Sequence, residues 1–169
     1  MIVQLKNFIL SYVRTIYLFE ANKNRKKLKI KNFKLKIYKK FSSIKNKDLK
    51  KFLNFQKKKR FREKQYLLVL YFKNNIVTTG WMYRGINWHI AEINKNIEIK
   101  NKVLLYDFFT FKEFRNRGYY AKILRLVRNL NTKKKFWIYC LSNNYSSKKG
   151  IENSNFKLIK KNRKINVYL

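Results

Sequence analysis

Apolar residues recur along the first third of the chain with a spacing that changes from helical to extended. Over residues 5–22 they stand three and four positions apart, which predicts an amphipathic helix packed on the core. Residues 28–38 alternate apolar residues with lysine, apart from a slip at Asn32, as a strand with one face in water does. Asn46 is a suitable cap for a helix over residues 47–58, whose apolar residues share one face.

The middle of the chain is predicted to be extended. An apolar run over residues 65–72 and a second strand over residues 76–84 are joined by Lys73, Asn74 and Asn75. Asparagine tolerates the left-handed backbone that tight hairpin turns need, so a hairpin is expected here. The extended segments that follow cover residues 86–93, 97–99 and 103–109.

The last third of the chain alternates helices with strands. Helices are predicted over residues 118–130 and 144–153, and strands over 136–141, 156–159 and 165–169, the last two forming a hairpin about the turn 161–164. A chain of 169 residues supports one domain. The order of the elements predicts an α/β sheet covered by helices, with a ligand crevice at the carboxyl ends of the strands.

The composition adds a strongly basic surface to this picture. The chain carries 43 Lys and Arg against 8 Asp and Glu, a net charge of +35, yet it is 46% hydrophobic and 17% aromatic. That apolar fraction is enough for a core, which excludes a wholly disordered basic tail. Proline is missing, while Lys, Asn, Ile, Phe and Tyr are heavily used, as in a chain encoded by an AT-rich genome.

Dense positive charge is also typical of nucleic-acid binding. Arginine, which is preferred for bidentate phosphate and base contacts, makes up only about a quarter of the positive residues. The basic residues are spread over every segment instead of being concentrated in one. We therefore expect nucleic acid to bind only nonspecifically, and a non-catalytic nucleic-acid-binding protein remains the alternative function.

Three features of the sequence argue against a membrane span, an internal disulfide and a zinc site. The apolar stretch over residues 2–19 is interrupted by polar and charged residues, so it is not a membrane span. A single cysteine, Cys140, and a single histidine, His89, provide neither an internal disulfide nor a Cys/His zinc site. The sequence predicts a cytoplasmic monomer or homodimer without a metal.

The segment that offers a candidate binding site is the loop around a glycine, between a buried strand and an amphipathic helix. In a chain with only four glycines, Gly118 indicates a backbone that takes a positive φ or approaches a ligand closely. The N–H groups of such a loop and the positive end of the helix dipole form an anion site. Arg115, Arg117 and Lys122 add positive charge. The same pattern also fits an ordinary capped turn.

Two motifs in order resemble the signatures of one enzyme family. Arg115-x-x-Gly118-x-Tyr120, followed by Ile123-Leu124, resembles the acyl-CoA pyrophosphate loop of the GNAT (Gcn5-related N-acetyltransferase) family. Asn144-x-x-Ser147-x-x-x-Ile151-Glu152-x-x-Asn155-Phe156 is similar to the second signature of that family. The resemblance covers roughly residues 66–160, and Gly80–Arg84 with Tyr106–Thr110 look most like a bacterial small-molecule, polysaccharide-associated subgroup.

The resemblance implies a fold and an activity. The implied fold is α/β, with a central mixed and mostly antiparallel twisted sheet of about six to seven strands flanked by helices, in the order β-α-α-β-β-β-α-β-α-β. Residues 1–169 would form a single acyltransferase domain, with an N-terminal amphipathic helix within 1–27 and an acyl-CoA-binding core over 101–160. The implied activity is transfer of an acetyl group from acetyl-CoA, the co-substrate, to an amine of an amino sugar or another small metabolite.

The resemblance also assigns roles to residues. Asp107 is the implied catalytic carboxylate, and because an ordinary Asp has a pKa of about 3.9, orienting an ammonium suits it better than direct deprotonation. The alternative is a structural carboxylate paired with Arg84 or a lysine. A backbone N–H around Phe109 would be the oxyanion donor. The implied acyl-CoA-binding residues are Phe109, Thr110, Phe111, Arg115, Asn116, Arg117, Gly118, Tyr119, Tyr120, Asn144 and Ser147.

Three positions depart from the family pattern. Tyr120 stands where glycine or alanine is usual, which predicts a looser hold on the pyrophosphate or binding mainly by the N–H groups before Tyr120. Asn155 replaces a glycine, a change that asparagine tolerates because it visits the left-handed region. Ile151 stands where many members have a tyrosine that protonates the leaving thiolate, so water or Tyr145 would have to act instead. A degenerate fold that binds CoA without turnover is therefore a further alternative.

Overall fold

The computed structural model describes residues 13–24, 28–53, 55–130 and 133–165. The strands are β1 (Val13–Ala21), β2 (Phe33–Tyr38), β3 (Gln65–Phe72), β4 (Asn75–Tyr83), β5 (Asn87–Ile90), β6 (Lys95–Glu98), β7 (Lys102–Thr110), β8 (Lys135–Leu141) and β9 (Lys157–Ile165). The helices are α1 (Lys47–Phe52), α2 (Phe55–Lys59), α3 (Tyr119–Val127) and α4 (Tyr145–Glu152). No helix in these ranges is long and apolar enough to cross a membrane.

Within the described ranges, seven strands form one sheet in the order β2-β3-β4-β7-β8-β1-β9, and β5 pairs with β6 in a separate hairpin. Neighbouring strands of the large sheet are antiparallel except β7 and β8, which are parallel. The predicted mixed, mostly antiparallel sheet flanked by helices is confirmed. The predicted order of elements is not confirmed in detail, because it lacks β1 and the β5–β6 hairpin.

Both faces of the large sheet are covered. Helices α3 and α4 pack on one face, where the buried residues include Phe19, Leu68, Leu70, Val77, Met82, Val103, Leu105, Ile123, Leu124, Val127, Phe136, Ile138, Ile151 and Phe156. Helix α1 and its flanking turns cover β3 and β4 on the other face, where the buried residues are Ile44, Leu49, Leu53, Leu67, Val69, Trp81 and Tyr106. The β5–β6 hairpin packs through Ile90 and Ile93 against Ile16 of β1.

The predicted N-terminal helix is wrong where the structure describes it. Residues 13–21 form β1, a central strand paired with β8 on one side and β9 on the other. Phe19 packs beneath α3 and α4, whereas Ile16 packs against the β5–β6 hairpin. Because β1 buries apolar residues on both faces, its period of two is hidden, and the remaining spacing looks helical. Residues 1–12 of the predicted helix lie outside the described residues.

The predicted C-terminal hairpin is also wrong. Residues 157–165 form one strand, β9, in which the expected turn residues Lys161–Lys164 pair with β1. A lysine-rich run is compatible with this position because β9 is an edge strand, where lysine also protects against edge-to-edge pairing. Residues 166–169 lie outside the described residues.

Two other predicted elements are shorter than expected or interrupted, and a third is as expected. The predicted strand 28–38 is regular only from Phe33, and the slip at Asn32 is a turn with φ of 66°. The predicted helix 47–58 consists of α1 and α2, and Asn46 caps α1 by accepting from the Leu49 N–H at 2.7 Å. The β3–β4 hairpin is confirmed, with Lys73 and Asn74 both at positive φ.

Candidate functional site

A cleft opens where the parallel strands β7 and β8 separate. They pair only from Lys102 and Lys135 to Leu105 and Ile138, and beyond those residues they diverge. The resulting cavity has a volume of about 1300 Å³. It passes between the N-terminus of α3 and the helix α4 at one side, and the turn after α2 and the β5–β6 hairpin at the other. We call these two sides the loop end and the hairpin end of the cleft.

A bulge in β7 turns the strand toward the cleft. The register with β4 shifts so that Trp81 pairs with Tyr106 and Thr79 with Phe109, which leaves two residues of β7 opposite Gly80. The first of them, Asp107, has φ of 48°, a conformation that aspartate tolerates better than most residues. Gly80 is required because a Cβ there would overlap the Phe108 ring. The bulge therefore presents Asp107 in the cleft lining.

Past the bulge, one side of the β7 backbone faces β4 and the other faces the cleft. The Phe111 N–H donates to the Val77 carbonyl at 3.2 Å. Since backbone groups alternate sides along a strand, Phe109 also faces β4, where it pairs with Thr79, and Thr110 faces the cleft. Because the backbone N–H and C=O groups of Thr110 face the cleft, Thr110 is favoured over Phe109 and Phe111 as the residue whose backbone contacts a ligand.

The loop before α3 presents backbone N–H groups at the loop end. Asn116 and Gly118 both adopt left-handed conformations, with φ of 60° and 69°. Gly118 is the N-cap of α3, and no side chain caps the helix, so its first N–H groups remain available. A Cβ on Gly118 would meet nothing within 4 Å, which shows that the loop is open on this side. The predicted anion site therefore has the required backbone geometry.

Arginine and lysine side chains surround this loop. Arg115 lines the cleft, and its Nε donates to the Thr110 carbonyl at 3.1 Å, which ties the loop to β7. The Arg117 side chain does not line the cleft, and the Arg117 carbonyl accepts from Nζ of Lys122 at 3.3 Å. Of the two predicted arginines, only Arg115 is placed in the cleft itself.

The start of α4 forms the other wall of the loop end. Oδ1 of Asn144 caps the helix by accepting from the Ser147 N–H at 3.0 Å and from Oγ of Ser146 at 3.1 Å. Both Asn144 and Ser147 line the cleft, but the carbonyl oxygen of the Asn144 side chain is used by the helix. Its amide nitrogen is left to donate to a ligand.

Tyr120 fits the loop because α4 has a glycine opposite it. The Tyr120 ring lies against Gly150, where a Cβ would overlap the ring, and 5.4 Å from the Phe108 ring. The Tyr120 hydroxyl is 3.3 Å from Oγ of Ser147. Burial raises the pKa of Tyr120 well above its ordinary value, so the phenol is neutral. The ring thus packs between the helices and becomes part of the cleft wall.

The hairpin end is built from side chains of four separate segments. Nη1 of Arg60 is 2.5 Å from Oδ2 of Asp107, and the guanidinium lies 5.1 Å from the Trp81 ring and 5.4 Å from the Tyr106 ring. The predicted alternative partner, Arg84, instead lies over the Tyr66 ring. The Asp107 carboxylate is therefore ion-paired in the free protein.

Aromatic residues form the wall beside this ion pair. The Trp88 ring lies 4.5 Å from the Tyr106 ring, and its Nε1 donates to the Tyr139 hydroxyl at 3.3 Å. Burial raises the pKa of Tyr139 to about 12, and the charges of Glu92 and Asp107 act in the same direction. Tyr139 is thus a neutral hydroxyl close to both carboxylates.

Most of the predicted site residues line the cleft, and two lie outside it. Phe111 and Arg117 are outside the cleft, and the other predicted site residues line it: Asp107, Phe109, Thr110, Arg115, Asn116, Gly118, Tyr119, Tyr120, Asn144 and Ser147. Asn155 has φ of 59°, as expected for a replaced glycine. Ile151 is buried in the core, and Tyr145 is 77% exposed and outside the cleft.

Sequence reasoning missed several residues of the hairpin end. Arg60 and Tyr139 line the cleft, but no local motif marks either of them. Trp88, on the short strand β5, and Glu92 also line it. The only available signal was the high aromatic content around these positions.

Comparison with known proteins supports the fold. No protein-family model matches the sequence, and the search of curated proteins finds no match. Among solved structures, a GNAT-family acetyltransferase from Novosphingobium aromaticivorans superposes with a TM-score of 0.55 at 11% identity, covering 89% of this chain and 62% of that one. A GNAT-family acetyltransferase from Colwellia psychrerythraea gives 0.54 at 13% identity, covering 92% and 58%.

A conserved protein of unknown function from Staphylococcus epidermidis has a similar score, 0.56 at 10% identity, covering 98% of this chain and 68% of that one. This chain therefore spans roughly three fifths of the length of the named acetyltransferases. These superpositions show that the chain has the fold of the GNAT acetyltransferases.

Proposed function

We propose that this protein is an acetyl-CoA-dependent N-acetyltransferase that acylates an amine by direct attack. One observation carries the proposal: a single cleft joins an uncapped helix N-terminus behind Gly118 to the bulged carboxylate Asp107. The first feature suits a pyrophosphate and the second suits an amine. An amino sugar or another small amine-bearing metabolite is the proposed acceptor.

The loop end would hold the nucleotide part of acetyl-CoA. The uncapped N–H groups at the start of α3 follow Gly118, and the space next to Gly118 is open. Arg115 and Asn116 line the same opening and add a charge and an amide. These donors fit a pyrophosphate because they are numerous, close together and partly fixed by the backbone.

The middle of the cleft would hold the pantetheine arm. An extended chain there would lie beside β7 as an added strand, with the Thr110 backbone as partner. The side-chain amide of Asn144 and the hydroxyls of Ser147 and Tyr120 lie on the opposite wall. Acetyl-CoA would supply the thioester that the amine attacks.

At the hairpin end, Asp107 would orient the attacking amine. An ammonium must lose a proton before attack, and the Asp107 carboxylate, which lines the cleft, would hold the amine while water accepts that proton. The Thr110 N–H, which faces the cleft, is the proposed oxyanion donor in place of that of Phe109. Arg60 has to give way to the amine, since it pairs with Asp107 in the free protein.

The leaving thiolate needs a proton donor. Tyr145 is unsuitable because it is exposed and outside the cleft. Tyr139 is the better candidate, since it lines the cleft. We expect Tyr139→Phe to lower kcat while the Kd of acetyl-CoA stays the same.

Calorimetry tests the proposal directly. Acetyl-CoA is titrated at low and at roughly physiological salt, with ATP and a short single-stranded oligonucleotide as anionic controls, because a charge of +35 attracts any polyanion. Saturable binding selective for acetyl-CoA at the higher salt supports the proposal. Equal, salt-labile binding of all three ligands contradicts it and favours a nucleic-acid-binding protein. Selective binding without turnover of any amine would indicate a degenerate fold.

A further inference from the structure

The charges that line the cleft are distributed unevenly between its ends. The whole chain has 8 Asp and Glu, yet Glu63, Glu92 and Asp107 all line this cavity. All three belong to the hairpin end, where they outnumber the two cations Lys59 and Arg60. The charged residues that line the loop end, Arg115 and Lys149, are both positive. The cleft is therefore polarised, although the surface of the chain is strongly basic.

Hydrogen bonds and ring contacts connect two of the three carboxylates of the hairpin end. Glu63 accepts from Nε2 of Gln65 at 2.8 Å, and Gln65 in turn accepts from the Tyr106 hydroxyl. Asp107 pairs with Arg60, whose guanidinium lies over the Tyr106 ring. The Tyr106 ring contacts Trp88, which donates to Tyr139. Because Glu92 lines the same cavity, the hairpin end is one compartment.

Arg60 shows how this compartment binds a cation. Its guanidinium pairs with Asp107 and lies over the Trp81 and Tyr106 rings. A carboxylate next to aromatic faces attracts cations through both charge and the ring quadrupole. The side chains of this pair are 27% and 41% exposed, so an entering cation has access to Asp107.

Glu92 offers a second carboxylate in the same compartment. It is half-buried at the β5–β6 hairpin, where Trp88 and His89 line the same cavity, and it makes no ion pair with any residue that the structure describes. His89 makes no ion pair with Glu92 in the described ranges, and its Nδ1 is bonded to Oδ1 of Asn96 at 2.8 Å. A partly desolvated carboxylate without an ion-pair partner favours a cationic ligand.

We propose that the acceptor is a small diamine or polyamine, with a second positive charge and no anionic group, and that Glu92 determines this specificity. The inference rests on the proposed function and deepens it. One amino group lies at Asp107 for acetylation, while the second ammonium lies between Glu92 and the Trp88 ring. Phosphorylated or carboxylated amines are disfavoured because the same carboxylates repel their negative charge.

The transfer is balanced without any further reagent. The amine at Asp107 loses one proton to water and attacks the acetyl carbonyl carbon, so that a C–N bond forms as the C–S bond breaks. Its second excess proton ends on the thiolate, directly or through Tyr139. The distal ammonium keeps its charge throughout, which is why Glu92 would act through substrate binding.

The test compares amines of equal length: 1,4-diaminobutane, butylamine and 4-aminobutanoate, each with acetyl-CoA. We expect kcat/KM to be at least about tenfold higher for the diamine than for butylamine, mainly through KM, and lowest for 4-aminobutanoate. Glu92→Gln should reduce the ratio of diamine to butylamine to near one. Glu98→Gln, on the exposed face of the same hairpin, should leave this ratio unchanged.

Two results separate the inference from the proposed function. If acetyl-CoA binds and butylamine or 4-aminobutanoate is acetylated as well as the diamine, the inference is wrong and the function stands. If acetyl-CoA does not bind, the proposed function fails, and calorimetry with the three amines alone still decides the inference. Diamine binding that Glu92→Gln weakens about tenfold supports a cationic compartment, and equal or undetectable binding of the three amines overturns it.

Discussion

The two ends of the cleft are built in different ways. The loop end comes from a contiguous run around Gly118 and the start of α4, and its ligand-facing groups are largely backbone N–H groups. The hairpin end is assembled from side chains on the turn after α2, the β5–β6 hairpin, β7 and β8. Backbone donors can stay in place while side chains change, so the first end tolerates substitutions such as Tyr120 that the second would not.

This difference also separates two kinds of recognition. Numerous backbone donors at a helix N-terminus suit the pyrophosphate of almost any acyl-CoA, because they recognise negative charge and not the shape of the acyl group. Individual carboxylates and rings at fixed positions discriminate between acceptors. We therefore expect substitutions at the loop end to act on acetyl-CoA affinity, and substitutions at the hairpin end to act on turnover and acceptor choice.

Gly118→Glu should have the largest effect. A carboxylate in the opening next to Gly118 would face the bound pyrophosphate, and at an effective dielectric constant of about 20 such a repulsion amounts to about 4 kcal/mol at 4 Å. The backbone at φ of 69° adds strain for any residue with a Cβ. We expect the Kd of acetyl-CoA, measured by calorimetry, to rise at least about 100-fold.

Gly118→Asn is the matched control. Asparagine tolerates the left-handed backbone and brings no charge, so the Kd should change by less than about tenfold. Similar losses in both variants would show that the side-chain volume, and not the anion site, decides the effect. Unchanged binding of Gly118→Glu would remove the loop end from the acetyl-CoA site.

The sequence predicts the loop end better than the hairpin end for the same reason. Arg115, Gly118, Asn144 and Ser147 belong to ordered local motifs, and the structure places all four in one cleft. Arg60 and Tyr139 come together only through the pairing of distant strands, so no spacing along the chain marks them. Even at the loop end, the partner of Tyr120 could not be foreseen, because Gly150 meets it across two helices.

The fold shows a comparable limit. The β3–β4 hairpin and the strand–loop–helix of β7 and α3 follow from local signals and are confirmed. Strand β1 cannot be predicted from local signals. A strand that is paired on both sides and buried on both faces lacks the alternation of apolar and polar residues that identifies a strand. The run Lys161–Lys164 looks like a turn on its own, and only pairing with β1 makes it extended.

Asp107→Asn tests the hairpin end with the next largest effect. Asparagine tolerates φ of 48°, so the bulge should persist while the charge that orients the amine is lost. We expect kcat to fall about 30-fold, or about 2 kcal/mol, with the Kd of acetyl-CoA within about twofold of the original. Glu113→Gln, an exposed carboxylate outside the cleft, is the control and should leave both constants unchanged. A normal rate in Asp107→Asn would make Asp107 a structural residue.

Gly150→Ala tests whether Tyr120 is held by α4. Alanine normally favours a helix by about 1 kcal/mol over glycine, but here its Cβ would overlap the Tyr120 ring. We expect the free energy of unfolding in urea to fall by about 1.5 kcal/mol, as in other overpacked sites. In a Tyr120→Ala background the same change should be stabilising. The same sign in both backgrounds would mean that the two residues are not coupled.

Glu20→Gln tests the paired beginning of β7 and β8, outside the cleft, and should have the smallest effect. The Glu20 carboxylate accepts from Nζ of Lys135 at 2.7 Å and Nε1 of Trp137 at 2.8 Å on β8, and lies 3.6 Å from Nζ of Lys102 on β7. Burial raises the pKa of Glu20, but these hydrogen bonds and positive charges outweigh it and hold the pKa below its ordinary value.

Because the folded pKa is depressed, the stabilisation by Glu20 is complete above its unfolded pKa of about 4.3 and is lost as the pH falls through the folded value. Glu20→Gln should therefore lower the free energy of unfolding by about 1 kcal/mol at pH 7, and the two proteins should converge below about pH 4. Glu152→Gln, which removes the exposed pair with Lys148, should cost less than about 0.5 kcal/mol at any pH. A constant difference between the original protein and the Glu20→Gln variant across this range would show that the charge of Glu20 does not contribute. Hydrogen bonding alone would then link β1 to β7 and β8.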